Sequence, residues 1–444
     1  MRAQKAFCGG LAAAILVFAG RPSDETRVGA GLREFDRVCR RPLWPGFEPC
    51  GIPLAIFDGR RTWLVRHPSP PPEFPASTQR ADTRVFEGRH PSLRANTTAE
   101  IAGIPTATVT LARPQEPRRL AALLIHEAFH VFQARRHPKW GGNEVDLFLY
   151  PFDNAEALAL RRLESAALRR ALAAGNRGET AAWGARALEL RRERFGLLPA
   201  PAAAYERGTE VKEGLARYVE LRAESPSEPV FPAGEFSAEA IRERAYASGA
   251  AIALLLDRLD PGWKRRLEER DDQPLDGLLE PAAAGARPVL IRAVEREEAR
   301  RRAAADTAAL VRRRTELRHE FLEASGWKVI VEADDPIFPQ NFDPWNVQRL
   351  SESEVLHTRW VKLGNASGNV EVLGPRCLTE SAGKHPLFEG VRRATVGLSS
   401  EPQIEETTER VKISADGVSL EFRGARLSRC GRTLTVVLPR SIDR

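Results

Sequence analysis

The chain has 444 residues, too many for one compact core, so two or three domains are expected. Hydrophobic residues at 42% and charged residues at 29% exclude an intrinsically disordered chain. The net charge of +7 comes from 67 basic against 60 acidic residues. The two signs are interleaved in runs such as RRLESAALRR, without a dense basic patch or an aromatic stacking platform, which argues against nucleic acid as a partner.

Residues 1–20 have the pattern of a secretory signal peptide. Arg2 and Lys5 precede an uncharged run over 11–19, which Arg21, Asp24 and Glu25 end. The run is short for a bilayer span, so a secreted or periplasmic protein with no membrane span after signal removal is expected. Cys8 lies before the run and lacks the small residues of a lipoprotein box. Of the remaining cysteines, Cys39 with Cys50 and Cys377 with Cys430 are the expected disulfides, since each pairing closes a loop inside one domain.

Residues 21–116 read as an N-terminal α+β segment. IPLAIFDG and RTWLVRH flank Asp58-Gly59, a hairpin signal, and HPSPPPEFP is a surface loop. A β-branched alternation predicts a strand over 107–111. Pro117 then opens a helical stretch, 117–287. Its first helix is RRLAALLIHEAFHVFQARR, closed by His137-Pro138, and others are predicted over 154–174, 179–195, 209–223 and 238–259. Residues 288–324 read as a long charged connecting helix. Over 325–444, short strands separated by Gly, Asn, Asp and Pro predict a β-rich sandwich or barrel. The fold class is therefore α+β, with a mostly helical middle between a β-containing N-terminal segment and a β-rich C-terminal domain.

The chemistry is concentrated in LLIHEAFHVF. His126 and His130, one turn apart on a helix, share a face and can both ligate one Zn²⁺. Glu127 sits beside them as a general base for a water activated by the metal. The flanking Leu123, Leu124, Ile125, Ala128, Phe129, Val131 and Phe132 are all uncharged, as a buried catalytic helix requires. A catalytic zinc needs a third protein ligand, for which the sequence offers Glu213, Glu156, Glu164 and Glu210. Glu210 is also a candidate to orient a ligand histidine through its other nitrogen.

The pairing of HEAFH with EGLARY at 213–218 resembles the gluzincin superfamily of zinc metallopeptidases, in particular aminopeptidase-like and peptidase MA-like proteins. The resemblance covers two short motifs on the helical middle of the chain. It implies a zincin-like catalytic domain with His126, His130 and Glu213 as ligands and Glu127 as base. It also implies a tyrosine donor to the oxyanion, for which Tyr246 is the candidate, while Tyr218 is expected to lie behind the site. The chain departs from the family in the roughly eighty residues between His130 and Glu213, and in Glu210-Val211-Lys212 before the glutamate. In such folds the strand before the active-site helix lies at a sheet edge, which would make the run 105–111 a platform for substrate strand addition. The expected function is zinc-dependent hydrolysis of peptide bonds in a peptide or protein substrate. The alternatives are a zinc hydrolase of other amides or esters, and a catalytically silent binding or structural protein of the cell envelope. A carbohydrate-binding role for the C-terminal region has little support in its few aromatics.

Overall fold

The computed structural model describes residues 24–439, apart from 79, 94–95, 225–228, 271, 382 and 384. The expected signal segment 1–20 and Cys8 lie outside them. Helix α1 (Asp24–Val38) leads into strands β1 (Leu54–Phe57), β2 (Arg61–Val65), β3 (Thr83–Glu87), β4 (Thr97–Ile101) and β5 (Ile104–Thr110). Helices α2 (Pro117–Arg136), α3 (Glu144–Phe148), α4 (Ala155–Ala173), α5 (Arg177–Phe195) and α6 (Ala200–Thr209) follow. A single π-helical turn, Glu210–Gly214, joins α6 to α7 (Leu215–Ala223). Next come α8 (Ile241–Leu259), α9 (Trp263–Glu269), α10 (Leu275–Ala282) and the long α11 (Ala293–Glu323). The fold is α+β, with an N-terminal sheet and a separate C-terminal β-rich sheet. Among the described residues no helix is long and apolar enough to cross a membrane.

Backbone contacts divide the chain into two compact units. The first takes the described residues of Met1–Gly141 with Thr209–Phe231 and Tyr246–Leu278. Its five-stranded sheet has the order β3-β2-β1-β5-β4. The hairpin expected at Asp58-Gly59 is β1 against β2, antiparallel, with the Asp58 carboxylate accepting from the amides of Arg60 and Arg61. Strand β5 is not an edge: β1 pairs with it in parallel on one side and β4 antiparallel on the other. Strand addition at 105–111 is therefore overturned, because its backbone is already paired on both sides, and β4 is the edge on that side of the sheet.

Helix α2 packs on β4 and β5, and its Leu120, Leu124, Ile125, Ala128, Phe129 and Val131 are each at most 1% exposed. Proline at its first turn and two arginines in its last turn suit its ends. Helix α1, which the sequence reading does not mark, buries Val28, Leu32, Phe35 and Val38 and packs on α2. Two glycines dilute its helical signal, yet Gly31 is required: a Cβ there would stand 2.5 Å from Leu120. The disulfide Cys39–Cys50 forms directly after α1, its Cα atoms 5.1 Å apart.

The second unit comprises Gly142–Gly208, Pro232–Ala245 and Leu279–Arg444. In its helical part α4 packs side by side with α5 and against α11. Its C-terminal part carries β6 (Trp327–Phe342), β7 (Val347–Arg349), β8 (Glu354–His357), β9 (Trp360–Asn365), β10 (Gly368–Leu373) and β11 (Cys377–Glu380). After the short helix α12 (Pro386–Glu389) come β12 (Val391–Leu398), β13 (Gln403–Glu406), β14 (Arg410–Ala415), β15 (Val418–Arg423), β16 (Arg426–Cys430) and β17 (Thr433–Val437). The strand β6 is long enough to pair with β12 and β17 along its first half and with β9 along its second. One hydrophobic cluster takes Val329 and Val331 of β6, Val370 of β10, Val396 of β12, Leu420 of β15 and Leu434 of β17. Both halves of the sheet thus turn their apolar faces to one core, which is the arrangement of a sandwich whose sheets share a strand.

The expected Cys377–Cys430 disulfide is absent: Cys377 is a buried thiol and Cys430 an exposed one. The strand order explains this. Cys377 on β11 and Cys430 on β16 are separated by β12, β6 and β17, four strand spacings or about 19 Å. Burial alone pushes the Cys377 thiol pKa up to about 12.

His357, on β8, is 1% exposed, with Nε2 near the Thr379 hydroxyl at 3.2 Å and Nδ1 lacking any hydrogen bond. Burial, helped by nearby His385, lowers its pKa to about 3. The unfolded chain takes that proton near pH 6.5 while the folded chain does not, so this stability is complete above pH 6.5 and falls as the pH drops toward 3. At pH 5 the loss is about 2 kcal/mol. Urea midpoints measured at pH 7.5 and 5.0 should differ less for His357→Gln than for the wild type; equal differences would remove His357 as the cause.

Candidate metal centre

Helix α2 places His126 and His130 on one face, and the π turn after α6 brings Glu213 to them. One ligand atom from each lies within 4.8 Å of the other two. His126 Nε2 is 3.1 Å from His130 Nε2, and the Glu213 carboxylate is 3.2 Å from His130 Nε2 and 4.0 Å from that of His126. Ligands at about 2.0–2.1 Å around a tetrahedral ion stand about 3.3 Å apart, so the spacing suits an ion of zinc's size.

The other ring nitrogens fix the protonation pattern. His126 Nδ1 lies 2.9 Å from a Glu220 carboxylate oxygen, which only accepts, so Nδ1 carries the proton. His130 Nδ1 lies 2.8 Å from Gln133 Oε1. The Gln133 amide nitrogen is committed to the carbonyls of Val211 and Lys212, so its oxygen faces His130 and that Nδ1 donates as well. With both Nδ1 atoms committed outward, it is the two Nε2 atoms that turn toward each other and toward Glu213. Two imidazole nitrogens and one carboxylate converge, a donor set that suits a divalent cation.

The sequence reading misses Gln133 and Glu220, although both lie at helical spacings from the candidate ligands. Gln133 is three residues after His130, and Glu220, on α7, is seven residues after Glu213 of the π turn. Gln133 has a second task. A π turn takes carbonyls out of the regular α-helical ladder, and this side chain bonds two carbonyls inside it while holding His130. One buried amide thus links the histidine helix to the turn that carries Glu213.

The electrostatics follow from burial and close carboxylates. Burial opposes charge on His126, but the hydrogen bond it donates to Glu220 and the charges of Glu220, Glu127 and Glu213 prevail and raise its pKa. Burial raises Glu220 as well, but His126 and Arg217 outweigh it and bring its pKa down to about 2. Glu127 is raised by burial against the pull of both histidines, and its Oε2 is buried without a hydrogen-bond partner. It is the member of the site with bonding capacity to spare.

The other sequence candidates lie elsewhere. Glu156 is paired with Arg300 at a surface, and Glu164 is surrounded by Arg191, Arg194 and Arg244 inside the second unit. Three guanidiniums leave Glu164 no free lone pair for a metal and, against the cost of burial, hold its pKa far below the usual carboxylate range. Glu210 does not orient a ligand histidine, since Glu220 and Gln133 take both Nδ1 atoms; it accepts from Ser248 on α8 at 2.5 Å. Tyr246 is brought to the site, its ring stacked on His126 with centroids 6.0 Å apart and planes at 11°. Tyr218 lies behind it, fully buried, donating to Asp257 and edge-on to Trp44 and Trp263.

No protein-family model, curated protein or solved structure matches the chain.

Helix α8 presses on the π turn through Gly249. A Cβ there would stand 2.6 Å from the Glu210 carbonyl oxygen and 2.8 Å from Gly214 Cα, both backbone atoms that cannot move aside cheaply. Gly249→Ala is expected to cost about 1–3 kcal/mol. Gly184→Ala, inside α5 with no atom within 4 Å of its would-be Cβ, should instead raise stability by about 0.5–1 kcal/mol. Urea denaturation of both variants checks this, and a Gly249→Ala protein as stable as the wild type would refute the close contact.

Proposed function

We propose that this chain is an exported zinc-dependent metallopeptidase, with His126, His130 and Glu213 as ligands and Glu127 as general base. The observation that carries the reading is the meeting of two imidazole nitrogens and one carboxylate, with the outer ring nitrogens already held by Glu220 and Gln133. Histidine nitrogens with one carboxylate form a donor set that zinc favours. When bound, zinc supplies Lewis acidity to the attacking water and to the carbonyl under attack.

The rest of the chemistry belongs to the chain. The buried Glu127 carboxylate, with its free Oε2, accepts the proton of the water as it attacks and delivers it to the departing nitrogen. Its raised pKa brings it nearer to that of the groups it exchanges the proton with. Glu220 and Gln133 keep both Nε2 atoms pointed inward. Tyr246, stacked beside His126, serves as donor to the oxyanion that develops on the substrate. An extended peptide as substrate is favoured by β4, an edge strand packed against α2. Export accords with the Cys39–Cys50 disulfide, a bond at home in oxidising compartments.

Elemental mass spectrometry and a peptide-library cleavage assay test this reading together. Wild type should carry about one zinc per chain, from the one three-residue cluster found among the described residues. His130→Ala and Glu213→Ala should lose it. Glu127→Gln should keep the metal and lose about 10²–10⁴-fold in turnover. Metal-replete wild type without zinc would overturn the site; zinc without cleavage of any peptide would overturn the activity. In a separate competition assay with a chelator, Glu220→Gln is expected to weaken zinc binding about 10–100-fold.

A further inference from the structure

Helix α11 is polar almost all round, yet Leu310, Arg313, Arg314 and Leu317 fall at the i, i+3, i+4, i+7 spacing of a single face. That face lines a cavity of about 410 Å³ inside the second unit, a size at which small-ligand sites begin. Leu147, Phe148, Phe152, Val347 and Leu350 supply the rest of its apolar wall. The cavity sits where separate clusters of the core leave off: Leu147 and Phe152 are the half-buried rim of one, Leu310 of a second and Leu317 of a third.

The charges on the wall do not balance. Arg313, Arg314 and Arg349 line it together with one carboxylate, that of Glu239. Glu239 reaches only Arg314, at 3.4 Å, while Arg314 Nε is buried without any hydrogen-bond partner. The Arg314 side chain is 11% exposed, so water does not neutralise this want. Arg349 gives Nε and Nη1 to the carbonyls of Ser351 and Tyr150 and makes no ion pair among the described residues, although the charges of Asp153 and Glu352 are felt. Burial first, and the facing charge of Arg314 second, lower the pKa of Arg349, as expected for guanidiniums held close without an anion between them.

We propose that this cavity binds a small organic carboxylate with an apolar tail, its carboxylate clamped between Arg314 and Arg349 and its tail against the Leu and Phe wall. Guanidinium and carboxylate match as planar bidentate partners, and the ligand's charge would relieve the repulsion between the two arginines. The volume admits on the order of ten to fifteen non-hydrogen atoms, so of a longer ligand only the carboxylate end enters. Two sources share that chemistry, a free medium-chain acid and the C-terminus of a short peptide ending in an apolar residue. The inference is independent of the metal centre.

Isothermal titration calorimetry on the full chain tests it with three probes: decanoate, N-acetyl-leucyl-phenylalanine and the uncharged decanol. At least one carboxylate should bind the wild type at a single site, with decanol at least about tenfold weaker. Arg314→Met and Arg349→Met should each weaken binding about ten- to hundredfold. Leu317→Trp, which fills the cavity and leaves the charges in place, should abolish it; this variant and Arg349→Met decide the matter if Arg314→Met does not fold. His130→Ala should bind as the wild type does. Binding of decanoate alone assigns a free acid, and binding of the dipeptide alone assigns a peptide end. Failure of both carboxylates, equal binding of decanol, arginine variants that bind unchanged, or loss of binding in His130→Ala would each overturn the proposal.

Discussion

The geometry of the candidate centre hangs on the Gln133 side chain. Its oxygen accepts from His130 Nδ1, and its nitrogen donates to the carbonyls of Val211 and Lys212. A π turn is costly to maintain, because backbone groups leave the regular ladder and must find partners in a buried place. At 2% exposure Gln133 has no water to turn to, so its three bonds form together or each leaves a buried group unmet. The same amide thereby decides which histidine nitrogen carries the proton and where Glu213 stands.

Close backbone packing completes that frame. Gly249 admits α8 against the π turn, and Gly31 admits α1 against Leu120 of α2. Around Trp44, the rings of Phe129, Trp140, Tyr218 and Trp263 meet edge to face and fill the space behind the histidine helix. The hydrogen-bonded shell is thus held by a tightly filled apolar one, and small displacements of Glu213 meet backbone atoms of α8.

The second unit solves a different problem. Its helices bury Glu164 and Glu206 among Arg191, Arg194 and Arg244, with the Tyr150 hydroxyl donating to Glu206. Burying such charges gains little net stability over apolar side chains, but removing one partner strands the others. The network therefore fixes how α4, α5 and α6 register with one another more than it strengthens them. In the same unit, the cavity on α11 sets three arginines against the single carboxylate of Glu239, and that contrast is what marks the cavity as a place for an anion.

Much of this was written locally in the sequence. The helix-spaced histidines with Glu127, the apolar flanks of α2, the β1–β2 hairpin, the long charged α11 and the Cys39–Cys50 link each depend on residues a few positions apart, where spacing alone sets geometry. The EGLARY run marked Glu213, because a short segment on one helix turns as a unit. The tertiary structure decided the rest. Only the strand order separates Cys377 from Cys430 and puts β5 inside its sheet rather than at the edge. Only packing selects Gln133 and Glu220 to hold the histidines, sends Glu164 to its arginines, and gathers Arg314 and Arg349 around a cavity. Each of these is a contact between segments remote in sequence, and such contacts leave no period in the chain from which they could be read.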